Sequence, residues 1–142
     1  MSEVVPVRGI LVAHGAMADG IVDAVRHITG AEADVLIPLS NKALSPQHLA
    51  DEVRNRVGHG PTIVFTDLPS GSCGFAARLL ARELPDLVVI SGVNLPVLLE
   101  FVMLRDLPMT ELVPRLLAKG RAAVACAPAS LDANADRVVS GG

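Results

Sequence analysis

The sequence predicts an α/β fold, a doubly wound and mostly parallel sheet flanked by helices. Short apolar runs alternate with longer amphipathic segments along most of the chain. Those runs are continuously apolar, so the strands are buried on both faces, as happens in a parallel sheet covered by helices. The length of 142 residues suits one domain with a sizeable core rather than two. Hydrophobic residues make up 51% of the chain, without Trp or Tyr, so that core is aliphatic.

Taken in order, Arg8 to His14 ("RGILVAH") reads as the first strand. A helix follows from about Met17 to Ile28, where Ile21, Val25 and Ile28 recur at i, i+4 and i+7 on one face, and Gly30 is placed to end it. Ala33 to Leu39 reads as the second strand. Ser45-Pro46 is an N-cap with proline at the first helical position, and Leu49, Val53 and Val57 form the next apolar stripe. Gly58 to Pro61 makes a turn into the third strand, Thr62 to Asp67. The loop "LPSGSCG", Leu68 to Gly74, then leads into a helix ending near Leu84-Pro85, and Asp86 to Gly92 is the fourth strand. Asn94 caps a helix, Leu95 to Leu104, that is apolar nearly all round. An amphipathic helix from Thr110 to Lys119 is stopped by Gly120, and "RAAVACA", Arg121 to Ala127, is predicted as a last strand with Cys126 in the core. Residues 1–127 form the domain; the polar, small-residue stretch 128–142 is expected to be a flexible tail.

Composition excludes several function classes. Net charge is −3, Lys and Arg are scattered, and three Phe are the only aromatics, which argues against nucleic-acid binding. The longest apolar run, Val97 to Leu104, is interrupted by Glu100 and is too short to span a bilayer. The opening "MSEVVPVRG" lacks the basic start of a signal peptide. Cys73 and Cys126 show neither CxxC nor metal-ligand spacing, so two free thiols, no metal and a cytoplasmic setting are expected. No Gly-x-Gly-x-x-Gly follows the first strand and no P-loop occurs, so nucleotide binding has no support and no cofactor is expected.

In open parallel sheets, ligands bind beyond the carboxyl ends of the strands, where strand order reverses. His14 ends the first strand, Asp67 the third and Ser91-Gly92 the fourth, while the third-strand loop adds Ser70, Gly71, Ser72 and Cys73. An aspartate bonded to one ring nitrogen fixes the tautomer and leaves the other nitrogen a lone pair able to attack phosphorus, take a proton or bind metal. Gly71-Ser72 at a helix start offers N–H groups, a hydroxyl and the positive end of a dipole to an anion. Singly, His14 could be structural, Asp67 a turn residue and Ser72 an N-cap. Together they read best as a histidine that carries phosphate. A Cys73 nucleophile with His14 as its base is the weaker reading. His27, one turn after Asp23, reads as half of a solvated pair, and His48, His59, Arg78 and Arg82 read as solvated.

At these residues the sequence resembles the mannose-type enzyme IIA of the bacterial sugar phosphotransferase system. "GILVAHGAMADGI", "TDLPSGSCGFAA" and "GVNLPVLLE" carry the resemblance, which covers residues 8 to 126. It implies that His14 is phosphorylated by the phosphocarrier protein HPr and passes the group to an enzyme IIB. It further implies that Asp67 positions the imidazole and that Ser72, with Gly71, meets the phosphate. The family's homodimer exchanges a final strand; here Arg121 to Ala127 and the helix Leu95 to Leu104 would supply that interface. Where the family usually has Asp-Leu-Phe-Gly-Gly-Ser-Pro-Phe-Asn, this chain reads Asp67-Leu68-Pro69-Ser70-Gly71-Ser72-Cys73-Gly74-Phe75. Asp67, Gly71 and Ser72 survive from that pattern, so the resemblance implies a retained phosphate cradle and a changed partner-facing surface. Any IIB is expected on a separate chain, and membrane contact only through transporter components.

Two rival readings accompany this one. Small tetrapyrrole metal chelatases also place His-Gly after a first strand, and "LVAHG" resembles that start. They need a second histidine facing the cleft, where this chain offers Phe75. The other rival is a regulatory module whose phosphorylation state controls binding to another protein. Transport and regulation both stay open at this point, as does the sugar.

Overall fold

A computed structural model describes residues 4–133. Four strands, β1 (Arg8–Ala13), β2 (Leu36–Ser40), β3 (Thr62–Thr66) and β4 (Leu87–Ser91), alternate with α1 (Met17–Thr29), α2 (Pro46–Arg56) and α3 (Gly71–Glu83). Two further helices, α4 (Leu95–Leu104) and α5 (Met109–Ala123), follow the last strand. The sheet is parallel throughout, in the order β2-β1-β3-β4. The chain winds outward in one direction from β1 to β2 and in the other from β3 to β4. The switch point therefore lies between β1 and β3, and a ligand crevice is expected beyond their carboxyl ends.

Each face of the sheet has its own apolar layer, as doubly wound folds require. On one side β-strand residues such as Leu11 and Phe65 pack with Val22 and Val25 of α1, Leu98 and Phe101 of α4, and Leu112 and Leu116 of α5. Phe65 and Phe101 meet edge to face, 5.1 Å between centroids. On the other side Ile10, Val12 and Val64 pack with Leu49 and Val53 of α2 and with Ala76, Ala77 and Leu80 of α3. Gly9 of β1 permits the close seating of α4, since a Cβ there would lie 2.8 Å from both Leu36 Cδ1 and the Phe101 ring.

The local signals operate as predicted at several ends. Ser45 accepts from the His48 N–H ahead of α2, with Pro46 at its first position, and Asn94 accepts from the Val97 N–H ahead of α4. Gly30, left-handed at φ 73°, closes α1. The buried face of α1 is Ala18, Val22 and Val25, with Ile21 half-buried; Ile28 is 59% exposed and does not extend the stripe.

The carboxyl-terminal prediction requires correction. Gly120 does not stop a helix: α5 runs through it to Ala123, and a Cβ at Gly120 would come within 2.4 Å of Val97 Cγ2. This glycine serves close approach of α5 to α4, and Asn94 Nδ2 donates to its carbonyl at 3.1 Å. Arg121 to Ala127 is correspondingly not a strand. Arg121-Ala122-Ala123 forms the last turn of α5, as expected of good helix formers, and Val124 to Ala127 is irregular and exposed. Among the described residues that segment pairs with no strand. Cys126 is accordingly exposed rather than core. Of the tail, Ala129–Leu131 forms a short 3-10 turn, and 134–142 lie outside the described residues. Among the described residues, no helix is long and apolar enough to cross a membrane.

Candidate functional site

Strand register brings the site together. Val12 of β1 lies beside Thr66 of β3, so His14 and Asp67 leave the sheet side by side at its carboxyl rim. Gly15, at φ 57°, turns the chain sharply into α1, and Met17 N–H closes the turn onto the His14 carbonyl at 3.1 Å. Asp67 Oδ2 accepts from the His14 backbone N–H at 3.0 Å and lies 2.8 Å from His14 Nδ1, while Oδ1 accepts from Leu68 N–H at 2.9 Å. The carboxylate is nearly buried, 8% exposed, whereas the ring is 44% exposed.

Burial alone would raise the Asp67 pKa. The hydrogen bonds from His14 N–H and Nδ1, the charge of His14 and the Leu68 N–H outweigh it, and the carboxyl is held below its ordinary range. An ionised carboxylate only accepts, so the contacting Nδ1 carries the proton and Nε2 of the neutral ring presents its lone pair outward. Gly71 lies under that nitrogen. A Cβ there would sit 3.8 Å from Nε2, and its φ of 79° is one that side chains disfavour. The site thus sets Nε2 of a half-exposed ring beside the amino terminus of the 13-residue helix α3.

Ser72, in the first turn of α3, is tied to a residue absent from the sequence-derived site. Asn41, just past β2, donates through Nδ2 to Ser72 Oγ at 3.2 Å and accepts through Oδ1 from Gly15 N–H at 3.4 Å. Its neighbour Ser40 donates to the Gly15 carbonyl at 2.8 Å. The signal for Ser40-Asn41 was a polar pair ending the apolar run "LIPL". Only the strand order reveals that this pair adjoins His14. Ser91, at the fourth strand end, bonds Thr66 Oγ1 at 2.9 Å, and Thr66 in turn bonds the Leu68 carbonyl. It braces the Asp67 loop from below.

Cys73 is buried with Sγ 3.8 Å from His14 Nδ1. Burial and the Asp67 charge push its thiol pKa up, against an opposing Ser72 hydrogen bond, so it stays a neutral thiol and a poor nucleophile. Among the described residues, His14, Asp67 and Cys73 are the group whose donor atoms, all within 4.8 Å of one another, could approach a metal. In this structure the three are joined as a hydrogen-bonded cluster, Nδ1 lying 2.8 Å from the Asp67 carboxylate and 3.8 Å from the Cys73 sulfur. No second histidine joins this group among the described residues, and His27, His48 and His59 are each exposed.

The divergent loop is internally consistent. A Cβ at Gly74 would lie 2.4 Å from the Pro69 carbonyl oxygen, so Gly74 is what lets that carbonyl fold over the first turn of α3. Arg78 donates to the same oxygen, and is therefore a loop clasp as well as an exposed cation. Leu68 and Phe75, each 50% exposed, stand beside the site as apolar surface.

The sequence matches the EIIA-man family, described as the PTS system fructose IIA component, over residues 9–116. The chain belongs to this family. No curated protein matches it. Its fold is similar to EIIA from Streptococcus agalactiae, with TM-score 0.79 and 25% identity over 84% of this chain and 96% of that one. The mannose/sorbose-specific IIA subunit from Enterococcus faecalis matches with TM-score 0.74 and 25% identity, covering 86% and 95% of the two chains. The PTS IIA protein associated with the fucose utilization operon of Streptococcus pneumoniae shares the fold, with TM-score 0.75 and 18% identity over 89% and 97%. As an EIIA-man member the chain is a sugar phosphotransferase-system component with a phosphotransferase role, and the chelatase reading gains nothing from any of these matches.

Proposed function

We propose that His14 is the phosphoryl carrier of this EIIA-man protein, loaded by phospho-HPr and unloaded onto an enzyme IIB. The observation that carries the reading is the 2.8 Å contact of Asp67 with Nδ1, which leaves Nε2 as the nucleophile. In the step itself, the Nε2 lone pair forms the new N–P bond as the donor's N–P bond breaks, and the electron pair leaves with the donor imidazole. The proton on Nδ1 stays, so the ring becomes cationic, and the adjacent Asp67 carboxylate stabilises that charge. Such a transfer needs positioning and charge stabilisation at the phosphoryl oxygens. The Gly71 and Ser72 N–H groups and the Ser72 hydroxyl are our candidates to supply it.

We further propose that the protein works as a cytoplasmic homodimer, with residues 1–127 as the phosphocarrier domain and 128–142 as its tail. The outer edge of β4 is unpaired among the described residues, and Val124 to Ala127 lies exposed beyond α5, free for a strand exchange. Incubation with phosphoenolpyruvate, enzyme I and HPr should raise the intact mass by one acid-labile phosphoryl group, and His14→Ala should abolish the gain. Labelling that persists in the mutant, or survives acid, would remove His14 from this role. Adding an enzyme IIB distinguishes transport from regulation, since a transport component hands the group on.

A further inference from the structure

We infer that Asn41 is a positioning residue for phosphotransfer, which acts by orienting the Ser72 hydroxyl toward the phosphoryl group on His14. The inference rests on the reading of His14 as the carrier. Its starting point is the direction of two hydrogen bonds. The Gly15 N–H can only donate, so the atom of Asn41 facing it at 3.4 Å is the oxygen. That fixes the amide the other way round toward Ser72, where Nδ2, which can only donate, lies 3.2 Å from Oγ. Ser72 Oγ is thereby held as an acceptor in this contact, and its hydroxyl hydrogen is turned to another acceptor. An oxygen of a phosphoryl group on Nε2 is the acceptor the site would bring there.

Asn41 is well placed for such a task. Its backbone N–H donates to the Ala13 carbonyl at 3.1 Å, extending the β1–β2 pairing one residue past the sheet, opposite the start of the His14 turn. Its side chain is half-buried and spans from the loop that carries His14 to the helix that carries Ser72. One amide thus links the backbone beside His14 to the Ser72 hydroxyl and sets the polarity of that hydroxyl. A serine hydroxyl with no such partner would rotate among acceptors, and part of its donor strength would be lost to that freedom.

A mutant cycle on the full-length chain tests this, with rapid-quench phosphotransfer from phospho-HPr as the readout. Asn41→Ala should lower the maximal transfer rate by about tenfold, the scale of one hydrogen bond to a charged group, with little change in the phospho-HPr concentration giving half-maximal rate. In a Ser72→Ala background the same substitution should cost nothing further, because its effect runs through that hydroxyl. Asn41→Asp keeps the acceptor for Gly15 N–H while reversing the contact with Ser72. It should be at least as slow as the alanine variant, with thermal unfolding close to wild type, so a folding defect in the alanine variant leaves the question answerable. Wild-type rates in either variant would overturn the inference, and so would losses that simply add in the double mutant. A wild-type protein that takes no phosphoryl group from HPr would overturn the His14 reading itself and this role with it.

Discussion

The rim around His14 and the surface between α4 and α5 are built on opposite terms. At the rim, polar side chains are bonded across strand boundaries: Asp67 of the β3 end holds His14 of the β1 end, and Asn41 of the β2 end holds both Gly15 and Ser72. Between the helices lies a groove of about 540 Å³ lined by Pro96, Leu99, Met103, Ala122 and Ala123, with Glu100 and Lys119 paired at 3.8 Å across it. Met103 stands 72% exposed there. The rim contacts of Asp67 and Asn41 all lie within one chain, whereas the groove presents apolar surface of the kind that marks an interface. A polar site fixed by register should respond to loss of a single atom's charge. An apolar surface should respond only to a change in what can cover it.

The largest expected effect is at the rim. Asp67→Asn should slow phosphorylation of His14 by well over tenfold while leaving the fold intact. The amide is close in volume, so packing changes little. It brings no charge to the imidazolium that forms during attack, and its NH2 end can turn the ring to the wrong tautomer. Losing a charge-assisted hydrogen bond costs about 1.5–3 kcal/mol, and about 1.4 kcal/mol on a barrier is tenfold in rate. Rapid-quench transfer from phospho-HPr measures this directly. A wild-type rate would reduce Asp67 to a turn residue and erase the contrast with the groove.

The same contrast decides what could be read from sequence. Strands were legible because each is an unbroken apolar run ending in a polar or small residue. That His14, Asp67 and Gly71-Ser72 meet at one rim was legible because they follow those runs at the edge that every parallel sheet presents. Asn41 was not, because the sequence does not say that β2 lies next to β1. Gly120 misled for a related reason. A glycine after an amphipathic stretch reads as a stop, yet this one answers to Val97 on another helix, a contact that local pattern does not encode. Arg121 to Ala123 are good helix formers and continue α5, while Val124 to Ala127, exposed beyond it, takes neither helix nor strand form in the single chain.

A smaller effect is expected at the groove, and on a different observable. Met103→Glu puts a charge on the exposed apolar wall beside Glu100, so burying that surface against a second copy would bury an unpaired carboxylate. Sedimentation at micromolar concentration should show wild type as a dimer and the variant shifted toward monomer. His14 phosphorylation per chain should change little, because the rim draws no residue from this surface. An unshifted dimer would place the interface elsewhere, and a large loss of phosphotransfer would join the two regions we have separated.

The smallest effect returns to Asp67 and to pH. Its folded pKa lies below the unfolded value of about 3.9, because the hydrogen bonds from His14 and Leu68 and the His14 charge outweigh the cost of burial. The unfolded chain therefore binds this proton more readily than the folded one. The stability the carboxylate contributes is fully present above its unfolded pKa and is lost as pH falls through the folded value. Asparagine has no such proton. In denaturant titrations, wild type should exceed Asp67→Asn at about pH 5, and the margin should shrink as pH falls below about 4. It should also be modest, since the histidine partner is half-open to solvent. A margin that stays constant to the acid end would mean that the asparagine lost packing rather than a charge. The rim would then owe its geometry to shape, as the groove does.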